Sequence, residues 1–238
     1  MSTMPLAREV YYPESDGRPM AETEVHAQVM MDLWSTLRRH YASVPDVYLW
    51  GNMFLYYQQG NPRACVAPDL FLVKGVGKHV RRTYKLWEEG RVPSLVVEVT
   101  SKDTRDEDLE KKAVYERLGV EEYILFDPLG EYLRPQLQGY RLAAGRYEAM
   151  TLEADGSLVS GTTNLRLAPE GQKLRLRDAV TGEPLLWNEE LAEAQRAAEE
   201  RAEQEGRRAE QEKLARQAAE ERMRRLEEEV ARLRRSLE

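Results

Sequence analysis

Two acidic residues stand where strands would ordinarily carry apolar side chains. Asp69 follows Pro68 and opens Leu70-Phe71-Leu72-Val73, and Glu98 interrupts Leu95-Val96-Val97-Glu98-Val99. A carboxylate in a central strand costs several kcal/mol unless it is paired or bound to a cation. Two of them on neighbouring strands converge on an oxygen-donor site suited to a hard divalent metal. Taken singly, each has a plainer use: Asp69 as a cap at a strand entry, Glu98 as the partner of an arginine. A lysine pair, Lys111-Lys112, lies on the helix that follows the strand of Glu98. Over the carboxyl end of a strand, a lysine can orient a water and offset charge developing on a phosphate. The plainer alternative is a solvated charge.

The elements that must hold these residues are legible as periodicities. Glu22-Thr23-Glu24 supply first-turn carboxylates to a helix whose buried face reads His26, Val29, Met30, Leu33, Trp34, Leu37 and Tyr41. Strand candidates follow at Val47–Trp50, Met53–Tyr57 and Asp69–Val73, with a turn at Gln59-Gly60-Asn61-Pro62 between the last two. Ser94–Thr100 is the strand of Glu98. A helix from about Arg105 to Leu118, closed by Gly119, leads to the strand Glu122–Phe126. This strand–helix–strand order predicts a right-handed crossover between parallel neighbours. Short strands at Gly139–Leu142, Tyr147–Leu152, Leu165–Leu167 and Leu174–Leu176 predict a β-rich finish to the same domain.

Residues 74–91 are locally basic. Lys74, Lys78, His79, Arg81, Arg82, Lys85 and Arg91 are opposed only by Glu88 and Glu89, with Tyr84 and Trp87 interleaved. That composition suits a phosphate backbone and equally a solvated hairpin or loop. The whole chain is acidic, with 35 Lys+Arg against 42 Asp+Glu, so a histone-like polycation is excluded. Cys65, the single cysteine, excludes an internal disulfide and fits a reducing, cytoplasmic setting. In Ala64-Cys65-Val66-Ala67 it reads as a small hydrophobe rather than a nucleophile. No apolar leader or membrane-span-length run is present, so no membrane partner is expected.

From residue 188 the sequence changes. Leu191, Ala198, Glu205, Glu212, Ala219, Leu226 and Leu233 fall seven apart, as do Gln195, Ala202, Ala209, Arg216, Met223, Val230 and Leu237. The heptad seam is strong from Ala219 to Leu237 and weak before it, where Ala, Glu, Gln and Arg occupy it, and Gly206 interrupts it. It reads as a charged coiled-coil helix, or as a solitary solvated one.

The block Ala67-Pro68-Asp69-Leu70-Phe71-Leu72-Val73, followed by Pro93-Ser94-Leu95-Val96-Val97-Glu98-Val99-Thr100-Ser101, resembles the Pro-Asp…(Asp/Glu)-x-Lys nucleases. More closely it resembles the Uma-type restriction endonuclease family of bacteria. Residues 104–115 and 118–128 fit that family, as do residues 16–22 and His26. The usual lysine two residues after the glutamate is Thr100 here; in Uma-type chains it is displaced onto the next helix. Counting back from Tyr115 selects Lys111, and counting forward from Asp108 selects Lys112. A one-residue deletion is more easily absorbed at a helix entrance than inside it, which favours Lys111.

The resemblance implies an α/β fold: a restriction-endonuclease-like mixed central sheet flanked by helices over residues 1–187, then a C-terminal coiled-coil helix over 188–238. It implies a metal-dependent endonuclease acting on DNA. Asp69, Glu98 and the Val99 carbonyl would hold magnesium or manganese, and Lys111 would position the attacking water. Glu22 would be a further acidic group. Lys78, Arg81, Arg82 and Lys85 would meet DNA phosphates, with Tyr84 or Trp87 stacking on a base. Homo-oligomers through the nuclease domain and the terminal helix are expected. The competing expectations are a catalytically silent binding module on the same fold and a scaffold whose business lies in the coiled coil.

Overall fold

The computed structural model describes residues 10–15 and 23–235. Contacts divide the chain into two units, Met1–Trp187 and Asn188–Glu238. Glu22 and the Asp16–Met20 stretch lie outside the described residues.

In the first unit, helix α1 (Glu24–His40) starts at Thr23, whose side chain accepts the His26 backbone N–H at 3.2 Å. Its buried residues Val29, Met30, Leu33 and Leu37 step by three and four, so one stripe meets the sheet. The central sheet has six strands: β1 (Val47–Trp50), β4 (Leu70–Lys74), β6 (Leu95–Val99), β7 (Glu122–Phe126), β8 (Leu137–Ala143) and β9 (Arg146–Ala149). They lie in that spatial order. β6 and β7 are parallel, joined through α3 (Arg105–Leu118), and the other pairs are antiparallel. The sheet is therefore mixed, and β6 and β7 are the parallel neighbours that the strand–helix–strand order predicts. Gly119 ends α3 in the left-handed region at φ 86°.

Strand alternation sorts the core into two layers. Leu70, Leu72, Leu95, Val97, Ile124 and Phe126 pack on the α1 side, together with the three-stranded sheet β10 (Leu158–Ser160), β11 (Leu165–Glu170) and β12 (Lys173–Asp178). Phe71, Val73, Val96, Tyr123 and Leu125 pack on the other side with Tyr115 of α3. Glu98 has the parity of Val96. The period-two rule thus turns the Glu98 carboxylate towards the α3 side of the sheet.

Several expected elements differ in extent. The Met53–Tyr57 strand shortens to β2 (Leu55–Tyr56), which pairs with β3 (Cys65–Val66) and β5 (Tyr84–Lys85) in a separate small sheet. Asp69 lies just before β4 rather than in it. The basic stretch contains β5 and a one-turn helix, α2 (Leu86–Glu89), where the sequence suggested a hairpin or loop. β10 also escaped the sequence reading, because Leu158-Val159-Ser160 is too short to show alternation. The second unit is one 48-residue helix, α4 (Asn188–Arg235), which runs through Gly206 without a break. Pairs four apart, Arg207–Glu203, Arg216–Glu220 and Arg225–Glu221, lace its surface.

Candidate functional site

Asp69 owes its position to a tight crossing of two chain segments. The Asn52 N–H donates to the Pro68 carbonyl at 2.9 Å, and a Cβ on Gly51 would lie 1.9 Å from the Asp69 carbonyl oxygen. Only glycine lets β1's exit pass this close. The Asp69 carboxylate then stands in for a missing strand partner: its Oδ2 accepts the Val99 N–H at 2.8 Å. In return the Asp69 N–H donates to Glu98 Oε2 at 3.2 Å. The two acidic residues are thus cross-linked through each other's backbones at the end of β4 and β6.

Glu98 is 1% exposed. Its Oε1 accepts from the Tyr115 hydroxyl at 2.8 Å, and its Oε2 meets the Lys111 ammonium at 3.1 Å. Tyr115 and Lys111 are one helical turn apart on α3, so a single face of that helix grips both carboxylate oxygens. Lys111 also pairs with Glu107, a further turn back, at 3.2 Å. His26, in the first turn of α1, brings Nε2 within 3.5 Å of Asp69 Oδ2. Of the adjacent lysines, Lys111 is the one that α3 turns into the site. Lys112 lies over the Tyr140 ring, 3.3 Å from its centroid.

The electrostatics follow from this crowding. Burial pushes the Glu98 carboxyl up to about 8; Lys111 pulls it down, Asp69 pushes it up again, and the Tyr115 hydrogen bond lowers it. Lys111 loses water too, which by itself would lower its pKa, yet the charges of Glu98, Asp69 and Glu107 together raise it. The two partners move unequally because Lys111 answers to three carboxylates while Glu98 has only a share of one ammonium. Lys111 therefore stays charged at neutral pH. Burial likewise keeps the Tyr115 hydroxyl protonated, well above the ordinary tyrosine range.

Behind the site sits a second polar group that composition did not announce. Asp108 of α3 is buried, and its Oδ2 accepts from the Thr100 and Tyr132 hydroxyls, the latter at 2.8 Å. Thr100, two residues after Glu98, is thereby used to tie β6 to α3. The roles of Glu107 and Tyr115 were readable only as spacings of four around Lys111; Asp108 stands out in the sequence only as a point for counting to the lysine, and nothing in Asp106-Glu107-Asp108 marks it as the buried member.

The basic stretch behaves differently from the expectation. Arg81 is buried: its guanidinium forks onto Glu89 at 2.7 and 2.8 Å and caps the Gly77 and His79 carbonyls, so it does not face a phosphate. Lys78 closes α1 by donating to the Tyr41 and Ala42 carbonyls at 2.5 and 3.1 Å. Lys85 pairs with Glu88 at 3.1 Å, and the exposed Arg82 with Glu14 at 2.6 Å. Tyr84 is fully buried, with its hydroxyl on the Arg91 carbonyl, and is no stacking platform. Trp87 packs against the Tyr12 ring. The reason is local: Glu89 lies eight residues beyond Arg81, and α2 brings it back beneath. Cys65 is half-buried, and burial raises its thiol pKa, which agrees with a packing role.

Among the described residues no helix is long and apolar enough to cross a membrane. The sequence pattern of the Uma2 family, described as "Putative restriction endonuclease", matches residues 3–170. The crystal structure of "a putative nuclease belonging to DUF820" from Anabaena variabilis ATCC 29413 is similar at 14% sequence identity, with a TM-score of 0.48. That likeness covers 67% of this chain and 87% of the other. No curated protein matches the chain.

Proposed function

The chain belongs to the Uma2 family, and from that premise we propose that it is a divalent-metal-dependent endodeoxyribonuclease, cutting DNA phosphodiester bonds at Asp69, Glu98 and Lys111. The observation that carries the reading is the Glu98 carboxylate, sunk in the sheet with one oxygen held by Tyr115 and the other beside Lys111 and Asp69. A buried ion pair adds little net stability compared with apolar packing, so an arrangement this costly points to chemistry.

Asp69, Glu98 and the Val99 carbonyl are hard oxygen donors, and as a set they suit magnesium or manganese. Among the described residues no group of three or more His, Cys, Asp and Glu side chains is gathered to hold a metal. Magnesium is usually bound by one or two carboxylates and keeps several waters, so two carboxylates and a carbonyl meet its needs. Bound there, it would supply Lewis acidity towards the phosphate and lower the pKa of its water. Lys111, held charged, would orient the attacking water and offset the charge growing on the phosphate. Tyr115 would act as a positioning residue, fixing the rotation of the Glu98 carboxylate. The test is plasmid nicking titrated with magnesium, manganese and a chelator. Cleavage is expected only with metal; undiminished cleavage in excess chelator would reject the metal requirement.

Self-association belongs to the same proposal. Met223, Leu226 and Val230 are exposed on α4 at steps of three and four, a narrow apolar stripe on an otherwise charged helix. A seam this short is marginal alone. The first unit is therefore expected to make contacts of its own, with α4 strengthening them. Light scattering over a dilution series should show tighter association for the full chain than for a version ending at Trp187. Equal dissociation constants would leave α4 a solvated helix.

A further inference from the structure

Beside the sheet edge lies a cleft of about 690 Å³, walled by α1, by β1 and by the segment around residues 78–81. β1 is the outermost strand of the central sheet, so the cleft runs along an open edge. Its lining holds Arg38 together with Arg39, Lys78 and Arg81, whose donors are engaged by the Leu186 carbonyl, by the Tyr41 and Ala42 carbonyls and by Glu89, and among the described residues no aspartate or glutamate lines it. Two indoles meet in it: Trp34 and Trp50 stand edge to face at 5.7 Å, and the Arg38 guanidinium lies 4.8 Å over Trp34. Trp50 is 38% exposed, and Val80 on the opposite wall is 94% exposed. Basic residues in the last turn of α1 answer the helix dipole, but the dipole does not account for an open indole beside them.

Both long walls of this cleft lead to Asp69. Trp50 pairs across β1–β4 with Phe71, two residues (about 7 Å) from Asp69. Trp34 is eight residues (about 12 Å) along α1 from His26, which touches Asp69. Cationic groups beside an open aromatic face are what an unpaired nucleic-acid strand requires: phosphates meet the charges, and bases stack on the rings. A regular duplex hides its base faces and would leave the indoles unused.

We infer that this cleft is a single-strand subsite, in which a base stacks on Trp50 while Arg38 meets a phosphate, so that the substrate is nucleic acid with an unpaired or displaced segment. The inference rests on the nuclease reading for the nature of the ligand and adds the substrate class.

The test uses full-length protein without divalent metal and short fluorescent oligonucleotides: single-stranded DNA, single-stranded RNA and a blunt DNA duplex, read by anisotropy. The single strands should bind more tightly than the duplex, and the DNA and RNA arms identify which sugar is accepted. Trp50→Ala should weaken single-strand binding about 5- to 150-fold, the range of one base–aromatic stack, and duplex binding far less. Val80→Glu, which alters only an exposed rim position, should weaken it as well. Arg38→Ala should flatten the dependence of log K on log salt by about 0.7. Unchanged single-strand affinity in both Trp50→Ala and Val80→Glu would overturn the inference, as would capture of an uncharged extended peptide in preference to oligonucleotides. Because no cleavage is read, inactivity of the wild type with magnesium would sink the nuclease reading and leave this one standing.

Discussion

Glu98→Gln is expected to lower the rate of metal-dependent plasmid nicking by at least ~100-fold, and Lys111→Ala by a similar factor, the scale on which loss of one electrostatic contact to a developing charge acts. Glutamine keeps the size of Glu98 and one acceptor oxygen for Tyr115, so the sheet need not repack, but it removes the charge that faces both Lys111 and a bound cation. Lys111→Ala removes the ammonium without removing an oxygen donor. Calorimetric metal binding should therefore survive in that variant while turnover does not. Lys112→Ala is the control, since that lysine rests on the Tyr140 ring and not on Glu98. Nicking at wild-type rate by Glu98→Gln, with contaminating nuclease excluded, would end the assignment. A dead Lys112→Ala beside an active Lys111→Ala would move the catalytic lysine by one residue and require α3 to rotate from the orientation found here.

How far this site was legible depends on which physical signal carried each part. β6 was readable because Glu98 interrupts an apolar run, and period-two alternation then fixes the face it points to, whereas β4 was readable as the apolar run that Asp69 precedes. The α3 boundaries were readable from Gly119 and from the apolar strands on either side. Lys111 and Lys112 are adjacent in sequence but about 100° apart around the helix, so choosing between them needs the rotation of α3, which tertiary packing of Tyr115 sets. The basic stretch misled because composition counts charges and not partners: Arg81 and Glu89 are eight apart, a separation with no meaning until the turn of α2 folds one under the other. The aromatic cleft was invisible for a related reason. Trp34, Trp50 and Lys78 come from three separate segments, and no spacing connects them. In the tail the heptad pattern read out a helix, and Gly206 proved too weak a breaker to interrupt it.

The metal-free protein is expected to lose stability as pH rises from about 4.5 to about 8, opposite to the trend that paired surface carboxylates produce. The cause is Glu98. Its carboxyl titrates near 4.5 when the chain is unfolded, and burial moves it to about 8 in the folded state. Between those values the folded state holds a proton that the unfolded state has released, so unfolding becomes more favourable with each step in pH. Lys111 does not cancel the effect. Its folded pKa is raised above 10.5, so its contribution is complete throughout this window and is lost only at higher pH. Glu89 and Glu170, whose pKa values are lowered in the fold, contribute stability that is already present above 4.5 and is lost only as pH falls below it. The Glu98 contribution should be visible as a falling Tm in chelator-containing buffers. Glu98→Gln, which has no proton to lose, should flatten the slope even if its absolute Tm is lower because Lys111 has lost a partner. Saturating magnesium should flatten it too, because a cation on Glu98 displaces the proton at every pH in the range. A metal-free Tm that stays level or climbs from pH 5 to pH 8, or a Glu98→Gln variant with the wild-type slope, would mean that this carboxylate is stabilised as an anion by the fold alone.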